Sequence, residues 1–203
     1  MAGGAGLHIF GGFCNFAAMN SEESRFNTMQ LVKRRLFAMR NGVVADMLRR
    51  AGSPYHIIFG VNVPQLREIA ADFAPDDELA RRLWADTRTR ESMLLAPWLV
   101  TGRELSQSDA LQWIATAVSP EAVDILCMAC LRGRPWAADA ATELAAEGST
   151  LSLYAAMRLL LNNLCPDTRE AAQALVTQIT PSSPMLLRSI ALQLADELEW
   201  LEA

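Results

Sequence analysis

Apolar positions recur at three- and four-residue spacing almost from Asn20 to the end of the chain, the mark of helices with one buried face. Capping residues, prolines and glycines divide that pattern into segments. Asn20 with Glu23 reads as a capping box opening a helix to about Arg40. A second helix over 43–51 stops at Gly52, a residue suited to the left-handed position after a helix. The segment 53–62, SPYHIIFGVN, is the longest non-helical connection, and Pro64 lies in the first turn of a helix ending near Phe73. Further helices are predicted over 76–85, 90–100, from Ser106 or Ser108 to 118, and over 119–131, 135–146, 150–164, 167–179 and 184–200. Short links force consecutive helices to lie antiparallel, and each helix is too apolar to stand alone, so successive pairs must stack.

The expected fold is therefore all-α: a HEAT-like α-α superhelix, a solenoid of antiparallel helix pairs every 35–45 residues or so. A compact helical bundle is the competing architecture. Residues 20–203 are expected to form one repeat domain. Residues 1–19 are Gly-rich and lack a secretory pattern, so they read as a disordered lead, with Met19 or Met29 as alternative starts. Nothing there is long enough to span a bilayer, and cytoplasmic placement is the default expectation.

Composition agrees with helix: hydrophobic residues make up 51% and charged residues 20%, with only two tyrosines. The net charge of −5 argues against coating nucleic acid by bulk charge. Its distribution is uneven, however, with residues 1–90 at +3 and residues 91–203 at −8. Of 18 basic side chains only Lys33 is a lysine. Arginine suits phosphate and buried pairing, although a biased genome gives the same usage.

Cys127 and Cys130 form a CxxC, but inside an unbroken apolar helical stretch with no second ligand pair, so buried thiols are expected. Two histidines, His8 and His56, leave little room for a His triad or a multi-His metal site. No Gly-rich loop precedes Lys33, which argues against a P-loop. The expectation is no metal and no cofactor.

The stretch 45–69, ADMLRRAGSPYHIIFGVNVPQLREI, with Phe59-Gly60-Val61, Pro64 and Arg67 at its centre, resembles the N-terminal signature of the AlkD-type DNA alkylation repair family. So does 79–99, LARRLWADTRTRESMLLAPWL, with its Leu-Trp pair, short turn and Arg90-Glu91. The order of later helices fits to about residue 198, with the family's last helix pair missing. Each signature residue also has an architectural reading: Gly60 for a positive φ or close backbone approach, Trp84 as a core plug, and Arg90 held by a partner carboxylate.

The family resembled includes glycosylases that excise cationic N3- and N7-alkylpurines from DNA. The alkylated base is already a good leaving group, so the barrier lies in oxocarbenium character developing on the sugar. A carboxylate at the sugar, with aromatic faces around the cationic nucleotide, would stabilise that transition state. At about 4 Å and an effective dielectric near 20 such a charge is worth roughly 4 kcal/mol, or about a thousandfold in rate. The resemblance carries the catalytic carboxylate onto Asp124 and the family's Arg onto Arg158. The aromatic four residues before the carboxylate falls on Pro120, and a second aromatic falls near Leu192. Both are lost. Tyr154 shares a face with Arg158 and is a substitute stacking surface on this reading; Trp113 and Trp136 are either substitute walls or core.

DNA contact is expected from Arg88 and Arg90 at one helix start, Arg132 and Arg134 after the Asp124 helix, and Arg158, gripping successive phosphates along a concave groove. The leading expectation is a protein that binds double-stranded DNA, alkylated or not, with weak or lost alkylpurine glycosylase activity. The alternatives are an active glycosylase with a rearranged pocket, and a protein-binding scaffold with no nucleic-acid role.

Overall fold

The computed structural model describes residues 21–202, with side chains described for 28–201. The Gly-rich lead, His8, Cys14 and the side chains of the first capping box lie outside the described residues. Among the described residues there are eleven α-helices: α1 Ser21–Ala38, α2 Gly42–Arg50, α3 Val63–Ala71, α4 Asp77–Ala85, α5 Arg90–Leu95, α6 Gln107–Thr116, α7 Pro120–Cys130, α8 Ala137–Glu147, α9 Thr150–Asn162, α10 Arg169–Gln178 and α11 Met185–Glu202. Among the described residues there is no named strand, only an isolated parallel bridge between Ile57 and Thr89.

The helix starts follow side-chain chemistry. Asn62 and Gln65 make a reciprocal capping box on α3, with proline in its first turn. Asp76 accepts from the N–H groups of Glu78 and Leu79, Ser106 from Asp109 and Ser119 from Ala122. Gly148 closes α8 in the left-handed conformation. One expected helix is broken. The stretch predicted over 90–100 ends as α-helix at Leu95 and continues as a 3-10 turn over Ala96–Leu99. Pro97 has no N–H for the α ladder, and its ring crowds the carbonyl one turn back. Likewise a 3-10 turn over Pro166–Thr168 precedes α10, where a continuous helix from residue 167 is the expectation.

The packing is that of stacked pairs. Contacts run from α3 to α5, α5 to α7, α7 to α9 and α9 to α11, forming one layer; α6, α8 and α10 form the other. Arg90, first in α5, reaches Glu121 near the start of α7, while Arg132 just past α7 reaches Asn162 at the end of α9. Helices of the odd-numbered layer therefore run in the same direction, as a repeated helix–turn–helix unit requires. Between layers lies one continuous apolar core that includes Leu66, Leu83, Leu94, Leu126, Leu144 and Leu160. Trp84 is a core plug: its ring stacks on Trp113 at 4.8 Å, and its indole N–H donates to Thr116 Oγ1 at 2.9 Å.

The family-like signature residues form one structural knot. Glu91 is fully buried and accepts from the backbone N–H groups of Phe59 (2.9 Å), Gly60 (2.9 Å) and Val61 (3.3 Å). Arg90 lies beside it, donating to Glu91 at 2.8 Å, to the Val61 carbonyl at 3.1 Å and through two nitrogens to Glu121. Gly60 has φ +77°, and a Cβ there would come 2.2 Å from the Asn41 carbonyl oxygen. Tyr55 Oη adds a 2.8 Å hydrogen bond to Ser119 Oγ. The irregular 53–62 segment is thus fastened to the starts of α5 and α7, and its buried polar groups find partners there.

Candidate functional site

Asp124 lies in the second turn of α7, on the stripe of that helix left open by packing. Tyr154 and Arg158 stand one turn apart on α9, the neighbour of α7 in the same layer, so all three side chains meet at one seam. The Tyr154 hydroxyl donates to Asp124 Oδ1 at 2.6 Å. Arg158 Nη2 donates to the Tyr154 oxygen at 3.0 Å. Arg158 Nε stands 2.7 Å from Asp124 Oδ1, but its N–H is misaligned, so that contact is an ion pair and not a hydrogen bond.

Burial pushes the Asp124 carboxyl above its ordinary value, against the opposing pull of the Tyr154 bond and the Arg158 charge; Glu121 adds a small upward push. Burial, helped by the Asp124 bond, raises the Tyr154 phenol to about 12. For Arg158 burial acts downward, yet the Tyr154 bond and the Asp124 charge outweigh it and the guanidinium stays charged. The ring Asp124–Tyr154–Arg158 is closed on itself. Asp124 keeps a partly exposed flank, with 39% of its side-chain surface open.

The expected aromatic surfaces are not available here. Tyr154 is only 4% exposed, and the Arg158 guanidinium covers its ring at 5.6 Å, so it presents no free stacking face. Trp113 is buried against Trp84, and Trp136 packs half-buried against the core at the start of α8. Pro120 opens α7 where the family resembled carries an aromatic, and Leu192 is exposed on α11.

The arginines expected to act together are separated. Arg88 is exposed at the start of α5, where its carbonyl accepts from the Ile57 N–H. Arg90 is 4% exposed and engaged by two carboxylates and a carbonyl, which corrects its expected role as a DNA contact: it holds the fold. Arg132 and Arg134 follow α7 at the opposite end of the same layer, about 16 Å away along an eleven-residue helix. The two pairs therefore do not form one grip. Arg134 is also structural, donating to the Cys130 and Arg103 carbonyls and pairing with Glu104 at 3.3 Å. Arg132 is exposed, with one long bond of 3.3 Å to Asn162. Asn162 in turn donates to the Arg158 carbonyl, which puts Arg132, Asn162 and Arg158 in line along the α7–α9 seam. Sequence reasoning missed Asn162 and Glu121, whose partners lie some thirty residues away with no local spacing to betray them.

Cys127 and Cys130 are buried free thiols, pushed well above the ordinary thiol range by burial, Cys130 to about 12. Among the described residues no cluster of His, Cys, Asp or Glu is placed to hold a metal ion, and no helix is long and apolar enough to cross a membrane.

No curated protein matches the chain. A solved structure described as belonging to a new family of proteins related to the HEAT-like repeat DNA glycosylases, with affinity for branched DNA structures, superposes with a TM-score of 0.69. It is 22% identical, and the match covers 82% of this chain and 73% of that one. At that identity the likeness establishes the fold. The family model for DNA alkylation repair enzymes matches residues 32–180, nearly three quarters of the sequence, and the chain belongs to that family.

Proposed function

We propose that this member of the family is a DNA-binding protein in which alkylpurine excision is weak or lost. One observation carries the reading: Asp124, the carboxylate that the resemblance carries onto the family's catalytic position, is bound by Tyr154 and Arg158 and has no open aromatic face beside it among the described residues. An excision site must stabilise positive charge on both base and sugar, which calls for a free carboxylate and aromatic walls. Here the carboxylate is already paired with an arginine, and among the described residues a flipped base would find no stacking partner. Binding needs less. Arg132, Asn162 and the exposed edge of Arg158 offer donors along one seam, sufficient for sequence-independent phosphate contact. The affinity of the structural neighbour for branched DNA makes a junction the first substrate to try.

The test is fluorescence anisotropy with labelled duplex and four-way-junction DNA at roughly 50 and 200 mM salt. Binding that weakens steeply with salt and is reduced by Arg132→Gln supports the proposal. Affinity indifferent to salt and to that substitution contradicts it, and favours the protein-binding scaffold suggested by the −5 net charge.

A further inference from the structure

A second arginine pair faces a cleft well away from Asp124. The cleft, about 790 Å³, is lined by Arg67 of α3, by Trp98 of the 3-10 turn after α5, and by Arg103 in the loop that follows. Phe73 and Pro75 form part of its apolar wall, and Glu68 is the one carboxylate on its rim. The Arg67 guanidinium stands 5.2 Å from the Trp98 ring centroid and that of Arg103 stands 5.4 Å from it. Both arginines are exposed, and among the described residues neither pairs with a carboxylate, Glu68 included. Two like charges are therefore gathered on one indole with no anion between them, an arrangement unfavourable by itself.

The backbone is bent to produce it. Gly102 and Arg103 have φ +62° and +52°, and Arg103 is the one described non-glycine residue in the left-handed region. A side chain is strained there, and such strain persists only where surrounding contacts fix it. Three contacts fix it: the Arg134 guanidinium donates to the Arg103 carbonyl at 3.2 Å, the Arg103 N–H to the Val100 carbonyl at 3.0 Å and the Thr101 N–H to Asp77 Oδ1 at 2.8 Å. The indole N–H of Trp98, which is 92% buried, has no acceptor among the described residues. Since so little of Trp98 is open, it cannot serve as a platform for a base. It supports the two cations, and the cleft reads charge alone.

We infer that the Arg67–Trp98–Arg103 cleft is a phosphodiester-binding site that extends the DNA contact of the α7–α9 seam toward α3. This rests on the DNA-binding reading above. Direct contacts connect the two places: Arg103 to Arg134, then through the 131–134 turn to Arg132, Asn162 and Arg158. Neighbouring helices of a layer lie 8–10 Å apart, so four helices from α3 to α9 span roughly 25–30 Å. A duplex arm of about eight base pairs covers that distance at roughly 3.4 Å per step. Guanidinium forks suit phosphate oxygens, and with no base contact the site is indifferent to sequence.

The test is the salt dependence of junction binding for wild type, the double variant Arg67→Gln/Arg103→Gln and, as a control elsewhere on the surface, Arg50→Gln. Each phosphate contact contributes about 0.9 to the slope of log affinity against log salt, worth about eightfold at 0.1 M relative to 1 M. The double variant should lose close to two from the slope and bind more than tenfold more weakly across unrelated sequences, with unchanged helical content. Arg103→Lys, which keeps the charge, should restore most of the slope. A double variant with the wild-type slope, or a loss matched by Arg50→Gln, overturns the cleft assignment while leaving the DNA reading intact. Wild-type protein with no salt-dependent binding overturns both.

Discussion

Replacing Glu91 by glutamine tests the idea that the family signature encodes architecture. The carboxylate is fully buried and accepts four hydrogen bonds, three from the backbone of the 59–61 loop and one from Arg90. Glutamine keeps one acceptor oxygen but turns an NH₂ group toward N–H donors, and it leaves Arg90 buried with Glu121 alone. Breaking one partner of a buried pair costs about 3–5 kcal/mol. Glu121→Gln removes a carboxylate from the same guanidinium, but that side chain is 38% exposed and Arg90 retains Glu91. There the cost should stay near 1 kcal/mol. With a urea slope of about 3 kcal/mol per molar, appropriate to a chain of this size, Glu91→Gln should lower the unfolding midpoint by about 1–2 M and Glu121→Gln by about 0.3 M. Equal shifts from the two substitutions would mean that Glu91 is not the anchor of the loop, and the reasoning fails.

The Gly60→Ala variant should lose about 3 kcal/mol or more, because left-handed strain adds to a clash with the Asn41 carbonyl, whereas Gly52→Ala, left-handed with open space around it, should lose only about 1 kcal/mol; comparable denaturation midpoints would refute the distinction. Asp124→Asn should become progressively more favourable relative to wild type as pH rises from below 4 toward 7. The folded pKa of Asp124 is raised, so the protein binds its proton more tightly folded than unfolded, and ionisation costs stability as pH rises through that window. Melting temperatures of both proteins across the window decide it, and a difference that moves the other way would show that Arg158 dominates burial.

How far the fold was legible varies with the range of the signal. Helix starts at Asp76 and Ser119 are readable because cap and first turn are adjacent in sequence, whereas Ser106 and Ser108 are equally good caps in sequence and only the structure selects Ser106. Pro97 is not legible as a break, because apolar spacing continues through it and the change from α to 3-10 leaves that spacing nearly intact. The meeting of Asp124 with Tyr154 and Arg158 could be placed on facing helices from the family resemblance. That the phenol would turn inward to cap the carboxylate could not, since i, i+4 spacing gives a shared face and not the direction of a side chain. Arg88, Arg90, Arg132 and Arg134 look equivalent as helix-end arginines in sequence. Their separation into exposed and buried follows from Glu121, Glu104 and the Cys130 carbonyl, contacts that only stacking creates.

The reading stands on Asp124, the carboxylate that the resemblance carries onto the family's catalytic position, being held by Tyr154 and Arg158 with only a flank open. It is tested most directly by single-turnover incubation of excess protein with DNA carrying radiolabelled 7-methylguanine. Release should be little or no faster than spontaneous depurination, with nearly the same trace for Asp124→Asn. Release many-fold above background that disappears in Asp124→Asn would overturn the reading and make the Asp124–Tyr154–Arg158 ring a working site.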